Sequence, residues 1–394
     1  MKRYILSLLL CVMACGVHAQ GSADSLEVSI LTCSPGDKVY SLYGHTAIRC
    51  QNFTTHLDVV FNYGVFSFEQ PHFLWHFVLG ECDYMVMPIP WDIFIGDYEL
   101  RGSSVTQQTL NLSADEARAV VIYLMNNCRP ENREYRYNYL YNNCTTKVRD
   151  VIEAVLQGQV EYPAQQEALS FRQHIHRYTG QYPWAQEGND ALLGAEVDKP
   201  IGEHEAMFLP ENLMHFLDGA VIREEDGHER PLLKKSEIVL QEDISKKPTP
   251  SRLLRIFTPT TVGLLLLLFS IAILLYEYFG HRWLWVYDVC WLVLRGLTGL
   301  LLCFMFFFSS HPAVGSNWLV MILNPLAFVG LFLVVRAGVR DGKTHWFVFD
   351  FAILALFIVF SLLGLQHFGK LVVPLALVLI TRPISYYLYR RKKR

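Results

Sequence analysis

The last third of this 394-residue chain consists largely of apolar segments that are too long for the helices of an ordinary water-soluble domain. Each segment is close to the ~20 residues that an α-helix needs to cross a bilayer. The five segments lie near 261–279, 283–308, 317–335, 346–365 and 370–388. Helices are the expected form, because backbone groups in lipid must find hydrogen-bond partners within the segment. We therefore predict an all-α five-helix transmembrane domain over residues 259–394.

Basic residues predict how these helices are oriented. If the preceding domain lies outside the cytoplasm, the third helix ends inside, near Arg336, Arg340 and Lys343. The fifth helix also ends inside, at the basic run 390–394. Both clusters then fall on the cytoplasmic side, as the positive-inside rule requires. We expect a multi-pass protein with a cytoplasmic C-terminus.

The N-terminus has the pattern of a signal peptide. A basic start is followed by an apolar run from Tyr4 to Gly16 and by the small-residue site Val17-His18-Ala19. We predict a removed signal peptide at 1–19, with a lipid-modified start at Cys15 as the alternative. Residues 20–222 then form an extracytoplasmic domain, and the charged, proline-containing stretch 223–258 forms a linker.

Composition excludes some functions. The net charge of −3 and the absence of a basic stripe argue against nucleic acid as a partner. No cysteine or histidine cluster has zinc-ligand spacing, so we expect no metal and no cofactor.

The predicted exported domain keeps an odd number of cysteines, so one thiol is left over if the others form disulfides, with their pairing open. These cysteines are Cys33, Cys50, Cys82, Cys128 and Cys144.

Local patterns predict four elements around these cysteines. Residues 39–50 and 57–68 are typical of two strands joined by the turn 51–55. A capping box at Ser113 predicts a helix that runs to about Asn127. A second helix is expected from about Cys144 to Gly158.

Cys144 is the candidate nucleophile and the leftover thiol. It follows Asn142-Asn143, which are good capping residues, so the N–H groups of Cys144 and Thr145 belong to the first turn of a helix. Such donors stabilise a thiolate and the oxyanion of a tetrahedral intermediate. The alternative is a structural cysteine or half of a disulfide.

His45, at the start of the first predicted strand, is the candidate base. With the turn centred near Phe53 and Thr54, Asn62 lies across from His45 on the same face. Asn62 could then orient the imidazole, as the third member of a Cys-His-polar triad. Asp58, on the same face, is the alternative orienting group.

These features resemble the circularly permuted papain-like branch of the NlpC superfamily, the arrangement of lecithin:retinol acyltransferase. More closely, they resemble the Lnb-type lipoprotein N-acyltransferases of Bacteroidetes. The segments that carry this resemblance are YGHTAIR (43–49), VFNYGVF (60–66), NNCTT (142–146), FLP (208–210) and HPA (311–313).

The resemblance implies an α+β, permuted papain-like periplasmic catalytic domain on a bacterial inner-membrane anchor. It also implies that Cys144 and His45 transfer an acyl chain from a phospholipid, through a thioester, to the α-amine of a diacylated lipoprotein cysteine. Two alternatives remain: a membrane-tethered cysteine hydrolase that acts on cell-wall peptides, and a non-catalytic receptor or scaffold.

Polar residues of the membrane part divide into two groups. His311, Asn317 and Asn324 lie at or just below the predicted outer surface, where we expect them to contact substrate. The second group lies deeper, with most of its members toward the cytoplasmic end, and is expected to form structural ion pairs. This group comprises Asp288, Arg295, Asp350 and Arg382.

Overall fold

The computed structural model describes residues 26–66, 69, 71–165, 167–247 and 251–393, so the predicted signal peptide lies outside the described residues. The described chain forms two compact units. The first contains residues 26–66, 83–165 and 202–247. The second contains Glu69–Cys82, Glu167–Ile201 and residues 251–393. The membrane part therefore folds together with two segments that precede it in the sequence.

The first unit is built on an antiparallel sheet. The strands, in chain order, are β1 (Leu26–Cys33), β2 (His45–Asn52), β3 (Leu57–Val65), β4 (Asp83–Pro90), β5 (Val105–Leu110), β6 (Glu134–Arg136), β7 (Gln159–Glu161), β8 (Val221–Arg223), β9 (Glu229–Pro231) and β10 (Leu233–Leu240). Seven of them form one sheet in the order β10-β5-β1-β2-β3-β4-β6, and β7-β8-β9 form a smaller sheet.

Helices cover the sheet and make up most of the second unit. Over the described residues they are α1 (Phe73–Leu79), α2 (Trp91–Arg101), α3 (Ala114–Asn127), α4 (Cys144–Val155), α5 (Phe171–Thr179), α6 (Pro183–Leu192), α7 (Glu203–Ala206), α8 (Pro210–Asp218), α9 (Arg252–Ile256), α10 (Pro259–Gly280), α11 (Trp285–Phe308), α12 (Ala327–Val339), α13 (Trp346–Leu362) and α14 (Val372–Lys392).

The large sheet is covered on both faces because its central strands alternate two sets of apolar side chains. Val28 and Ile30 of β1 belong to a core that includes residues of α3, α4 and α8. Leu31 and Cys33 belong to the opposite core, with Phe94 of α2. The fold is therefore α+β, followed by a mostly helical region with apolar helices.

The predicted hairpin exists with a shifted turn. Residues 53–56 form the turn, and Asn52 pairs with Leu57. This register places Asn62 two residues from the position directly across from His45, so both residues still face the same side of the sheet. Strand β2 begins only at His45, because Gly44 adopts a left-handed backbone with φ of 79° and interrupts the extended run.

Both predicted helices are confirmed. The amide of Ser113 donates to Glu116 Oε2 at 2.8 Å, and the amide of Glu116 donates to Ser113 Oγ at 3.3 Å. This capping box opens α3, which ends at Asn127 as expected. Helix α4 begins at Cys144 and ends at Val155, three residues before Gly158.

The predicted linker 223–258 contains strands and is therefore not a linker throughout. Strand β10 pairs with β5 at the edge of the large sheet, and β9 pairs with β8. Lys235 of β10 is exposed and pairs with the partly buried Glu237. Charged side chains are common on edge strands, and this explains why the segment looks like a solvated connection in the sequence.

In the second unit, α10, α11 and α14 are long and apolar enough to cross a membrane, while α12 and α13 are shorter apolar helices. The third predicted segment, 317–335, is not one helix. It begins as a 3₁₀ turn, Trp318–Met321, and becomes α-helical only at Ala327. Pro325 lacks an N–H and disfavours a helical residue before it, so an α-helix is unfavourable at Asn324-Pro325, and the chain turns there.

The cysteines expected to pair remain separate. Cys33, Cys50 and Cys128 are buried free thiols, and Cys144 is a partly buried one. Cys33 and Cys50 occupy opposite faces of the large sheet, in different cores. The expectation of disulfides among these residues is therefore wrong for this structure, since buried cysteine also serves as a small apolar side chain.

Candidate active site

The start of α4 is fixed by Asn143. Its side-chain oxygen accepts hydrogen bonds from the amides of Thr145 and Thr146, at 2.8 and 3.0 Å. Its side-chain amide donates to the carbonyls of Tyr139 and Phe208, at 2.7 and 2.9 Å. Asn143 thus ties the helix start to the FLP segment and holds Cys144 at the first helical position, where the dipole of the helix favours negative charge.

Cys144, His45 and Asn62 come together from three different elements. His45 begins β2 and forms a hydrogen bond with the Cys144 thiol. The Nε2 of His45 lies 2.6 Å from Asn62 Oδ1, on β3. Because an amide oxygen can only accept, Nε2 carries the proton, and Nδ1 is left to face sulfur. This is the geometry of a thiol, a base and a group that orients the base.

Two glycines allow this approach. Gly44, with φ of 79°, directs the chain into β2 next to the backbone carbonyl of Cys33. Gly64 has φ of 86°, and a side chain there would contact Cys144 Cβ at 3.4 Å. Any larger residue at either position would strain the backbone beside the thiol.

The electrostatics of the pair favour its ionised form. Burial by itself raises the pKa of Cys144, but the charge of His45, together with hydrogen bonds from His45 and the Thr46 backbone, holds the pKa below its usual value. Burial likewise lowers the pKa of His45, but the Cys144 thiolate and the hydrogen bonds to Cys144 and Asn62 raise it above normal. The site therefore stabilises a thiolate beside an imidazolium.

Asp58, the alternative orienting group, is engaged elsewhere. Its two carboxylate oxygens accept from Arg49 Nε and Nη2, at 2.8 and 2.6 Å. Arg49 also stacks over the ring of Trp91, 3.5 Å from its centroid. Asn62, and not Asp58, is the residue that contacts the imidazole.

The two backbone amides predicted to bind the oxyanion, those of Cys144 and Thr145, are not equally available in this structure. The Thr145 amide is already bonded to Asn143, which removes it from the expected role. The Cys144 amide is the first of the helix and has no carbonyl one turn earlier within it. Sequence reasoning missed the strength of the cap, because an N-cap side chain satisfies the same amides that could serve an oxyanion.

Two further residues that interact with the Cys144 thiol or its charge were not predicted from the sequence. Thr46 donates its backbone amide toward Cys144, and its hydroxyl lies 3.2 Å from that of Thr145. Tyr137 stacks on Tyr84, with ring centroids 4.0 Å apart. Burial, followed by the nearby Cys144 charge, raises the pKa of Tyr137 well above its usual value, so its phenol stays protonated. The only sequence signal was their proximity to His45 and Cys144.

A cavity of about 430 Å³ opens beside His45 and Asn62. Apolar side chains from β4 and α2, including Ile89 and Phe94, line part of its wall. Arg101 and Asp97 of α2 also line it and form an ion pair. The cavity can therefore receive an apolar group together with a charged one.

The three residues of the membrane part that were predicted to contact substrate instead form hydrogen bonds within the second unit. Asn317 is only 1% exposed, with its amide nitrogen 2.8 Å from the Ala191 carbonyl, so it offers no surface to a ligand. Asn324 closes a local turn through the Met321 carbonyl and the Leu326 amide. His311 donates from Nε2 to the Phe77 carbonyl at 2.7 Å.

Among the described residues, one group could be considered for a metal: Asp150, Glu153 and His204. Arg149 binds Asp150 Oδ1 through Nη2 at 2.6 Å. Tyr162 donates to Glu153 at 2.9 Å. The group is thus a set of ion pairs on α4 and α7, with its carboxylates already partnered.

Comparison with known proteins agrees with this architecture. Residues 17–177 match the family model described as the Lnb N-terminal periplasmic domain. Residues 251–394 match the model described as the Lnb transmembrane domain. No curated protein and no solved structure matches the chain. The two matched segments span more than three quarters of the sequence, and the chain therefore belongs to the Lnb family, the Lnb-type lipoprotein N-acyltransferases, which are lipoprotein-modifying membrane enzymes.

Proposed function

We propose that this protein transfers an acyl chain from a phospholipid to the α-amine of a diacylated lipoprotein cysteine, through a thioester on Cys144. The observation that carries the proposal is the contact of Cys144, His45 and Asn62 inside a membrane enzyme of this family. A thioester is reactive enough to acylate an amine, and this explains why a cysteine suits the reaction.

In the first half-reaction, His45 Nδ1 holds the thiol proton, and the sulfur attacks the ester carbonyl. A carbon–sulfur bond forms and the carbon–oxygen bond to glycerol breaks. The imidazolium returns the proton to the departing alkoxide, so that a lysophospholipid leaves. Asn62 keeps the imidazole turned toward sulfur throughout.

In the second half-reaction, the amine attacks the thioester carbonyl. His45 takes a proton from the attacking nitrogen, a carbon–nitrogen bond forms, and the thiolate departs as the carbon–sulfur bond breaks. The pair returns to its starting state, ready for another phospholipid. No external oxidant or energy source is needed, because the ester supplies the activated acyl group.

Each half-reaction passes through an oxyanion. The Cys144 amide is the first donor that we assign to it, since it heads α4. The second that we assign is the Tyr137 phenol, which stays protonated in a buried site where it feels the charge of Cys144. Preorganised donors of this kind contribute about 10²- to 10³-fold each to turnover.

The cavity beside His45 is our proposed site for the acyl donor. Its apolar wall suits the start of an acyl chain. Arg101, a cation of that wall, suits the phosphate of the headgroup. We expect Arg101→Ala to raise KM for phospholipid more than it lowers kcat.

The test is to trap the acyl-enzyme. Full-length protein in phospholipid nanodiscs, without an acceptor, should gain the mass of one acyl chain on Cys144. Neutral hydroxylamine should remove this adduct, since it cleaves thioesters and spares ordinary oxygen esters. Cys290→Ser, at an exposed membrane cysteine, is the matched control and should still acylate.

Addition of a diacylated lipopeptide should discharge the adduct and give a triacylated product. Turnover by Cys144→Ala would overturn the mechanism. Release of cell-wall peptide fragments without acyl transfer would favour the hydrolase instead.

A further inference from the structure

The segment Glu69–Cys82 carries a short helix, α1, whose outward side chains are mostly apolar. Leu74, Trp75 and Phe77 are 76%, 54% and 43% exposed. Three large apolar side chains on a helix of seven residues are unusual on a surface that meets water.

Helix α1 is bound to the end of membrane helix α11. The Ser310 amide donates to the Leu79 carbonyl at 2.8 Å, and the Ser310 hydroxyl donates to the Gly80 carbonyl at 3.0 Å. The Phe77 carbonyl accepts from His311. Gly80 has φ of 74°, and a side chain there would collide with the His311 backbone, so glycine is required for this close contact.

The contacts place α1 level with the last turn of α11 and not beyond it. The Trp75 ring lies 5.3 Å from that of Phe304, centroid to centroid. Phe304 precedes the last residue of α11, Phe308, by four positions, which corresponds to about 6 Å along the helix axis. Phe307 and Phe308 of the same turn are also exposed and apolar.

The polar side chains of the segment are few and grouped. His76 pairs with Glu81 at 3.7 Å, and both are exposed. His72, just before the helix, is exposed as well. An apolar face joined to a narrow polar one is the pattern of a helix that lies in the interfacial layer of a bilayer.

We propose that α1 is a membrane-inserted helix, with Leu74, Trp75 and Phe77 in the acyl-chain boundary of the leaflet at the His311 end of α11. The occupant of its apolar face is lipid, because the face continues at the same level as the lipid-exposed end of a membrane-spanning helix. The segment matched as part of the periplasmic domain thus contains a monotopic membrane anchor.

Photo-crosslinking in full-length protein tests this directly. The variant Leu74→p-benzoylphenylalanine, in nanodiscs of phosphatidylethanolamine and phosphatidylglycerol, should form lipid adducts detectable by mass spectrometry. Phe307→p-benzoylphenylalanine is the positive control. Ile122→p-benzoylphenylalanine, at an exposed apolar site on α3, is the negative control and should form at least 10-fold fewer lipid adducts.

Lipid adducts at position 74 that match those at position 307 support the proposal. Yields no greater than those at position 122 would overturn it, as would crosslinks at position 74 to a second copy of the chain. The readout does not depend on catalysis, so the outcome is independent of the proposed acyl transfer. A thermal unfolding scan of each variant shows that the labelled protein is folded.

Discussion

At the scale of single residues, the pKa shifts of Cys144 and His45 make a prediction about pH. The lowered pKa of Cys144 means that its thiolate persists at pH values where a free thiol, with a pKa of about 8.5, is mostly protonated. Iodoacetamide should therefore alkylate Cys144 rapidly at neutral pH. Its rate should fall only when the pH drops below the lowered pKa.

The His45→Ala variant checks the cause of this shift. Without the imidazolium, burial raises the pKa of Cys144, so the midpoint of alkylation should move upward by about one pH unit or more. Cys128, whose pKa burial raises to about 12, serves as an internal control and should remain unmodified. An unchanged midpoint would contradict the ion pair.

Asn62 and Asp58 can be separated by turnover and stability. Asn62→Ala should lower kcat by about 10- to 100-fold with little change in KM, because a hydrogen bond to a charged group contributes about 1.5–3 kcal/mol. Asp58→Asn should leave kcat unchanged and weaken the Arg49 pair, at a cost of about 1–3 kcal/mol in unfolding free energy. Equal kcat losses in both variants would refute the assigned roles.

Tyr137→Phe removes one hydroxyl and keeps the stacking on Tyr84. We expect kcat to fall by about 10²-fold while the alkylation profile of Cys144 keeps its midpoint within a few tenths of a pH unit. Steady-state acyl transfer and the alkylation assay together measure both effects. A normal kcat would remove Tyr137 from the oxyanion site.

Residue-scale reasoning succeeded where a single local rule decides the outcome. Asn62 reached the correct face although the predicted turn was misplaced, because the register error was an even number of residues. It failed where two roles compete for one group, as at the Thr145 amide. Tyr137 was missed, because nearness in the sequence to Cys144 does not say which of the neighbouring tyrosines the fold buries within reach of its charge.

At the scale of elements, α10, α11 and α14 are held together by a buried charge network. Arg382 Nε lies 2.6 Å from Asp288 Oδ1, and its Nη2 lies 3.0 Å from Glu277 Oε1. Arg295 and Asp350 form a separate pair at 2.8 Å between α11 and α13. All five charges have partners, so the expectation of structural ion pairs is confirmed.

Arg382→Met should destabilise the membrane helices strongly. It leaves two buried carboxylates together without a cation, and breaking such a pair costs about 3–5 kcal/mol. Thermal unfolding in detergent measures the loss. Arg336→Met, at an exposed arginine of α12, is the control and should change the unfolding free energy by about 0.5 kcal/mol or less.

A second variant keeps this prediction open to refutation. Neutralising the whole group, with Glu277→Gln, Asp288→Asn and Arg382→Met together, should recover much of the lost stability. If the triple variant is less stable than Arg382→Met alone, desolvated charge is not the cause of the loss.

Element prediction from sequence was sound where caps and hydrophobic period agree, as in α3 and α4. It was wrong for β10, because an edge strand carries charges that mimic a solvated connection. It was also wrong at Asn324-Pro325, where the proline divides an apolar run into a turn and a helix. Strand pairing decided the structure at β10 and a local proline decided it at Asn324-Pro325, and hydropathy decided neither.

At the scale of the whole molecule, orientation in the membrane remains a prediction. A reporter that is active only in the cytoplasm should function when fused to the C-terminus and should be silent when inserted within 309–316. The physical reason is the cluster of basic side chains at 390–394 and at the end of α12. The reverse pattern of reporter activity would invalidate the five-helix topology.

The division into two units also changes where a fragment must end if it is to contain the whole first unit. A fragment that ends near Arg230 lacks β10, and with it one edge of the large sheet. The first unit extends to Lys247. Sequence reasoning placed the boundary at residue 222, because it treated domains as continuous stretches of chain.

The interleaving of the units has a consequence for biogenesis. The segments Glu69–Cys82 and Glu167–Ile201 leave the ribosome before any of the membrane helices with which they fold. At about 5–20 residues per second, synthesis of the 226 residues between Cys82 and Phe308, the last residue of α11, takes about 11–45 s. During this interval the aromatic face of α1 has no helix α11 to pack against. Folding of the second unit can therefore be completed only after the membrane helices have been made.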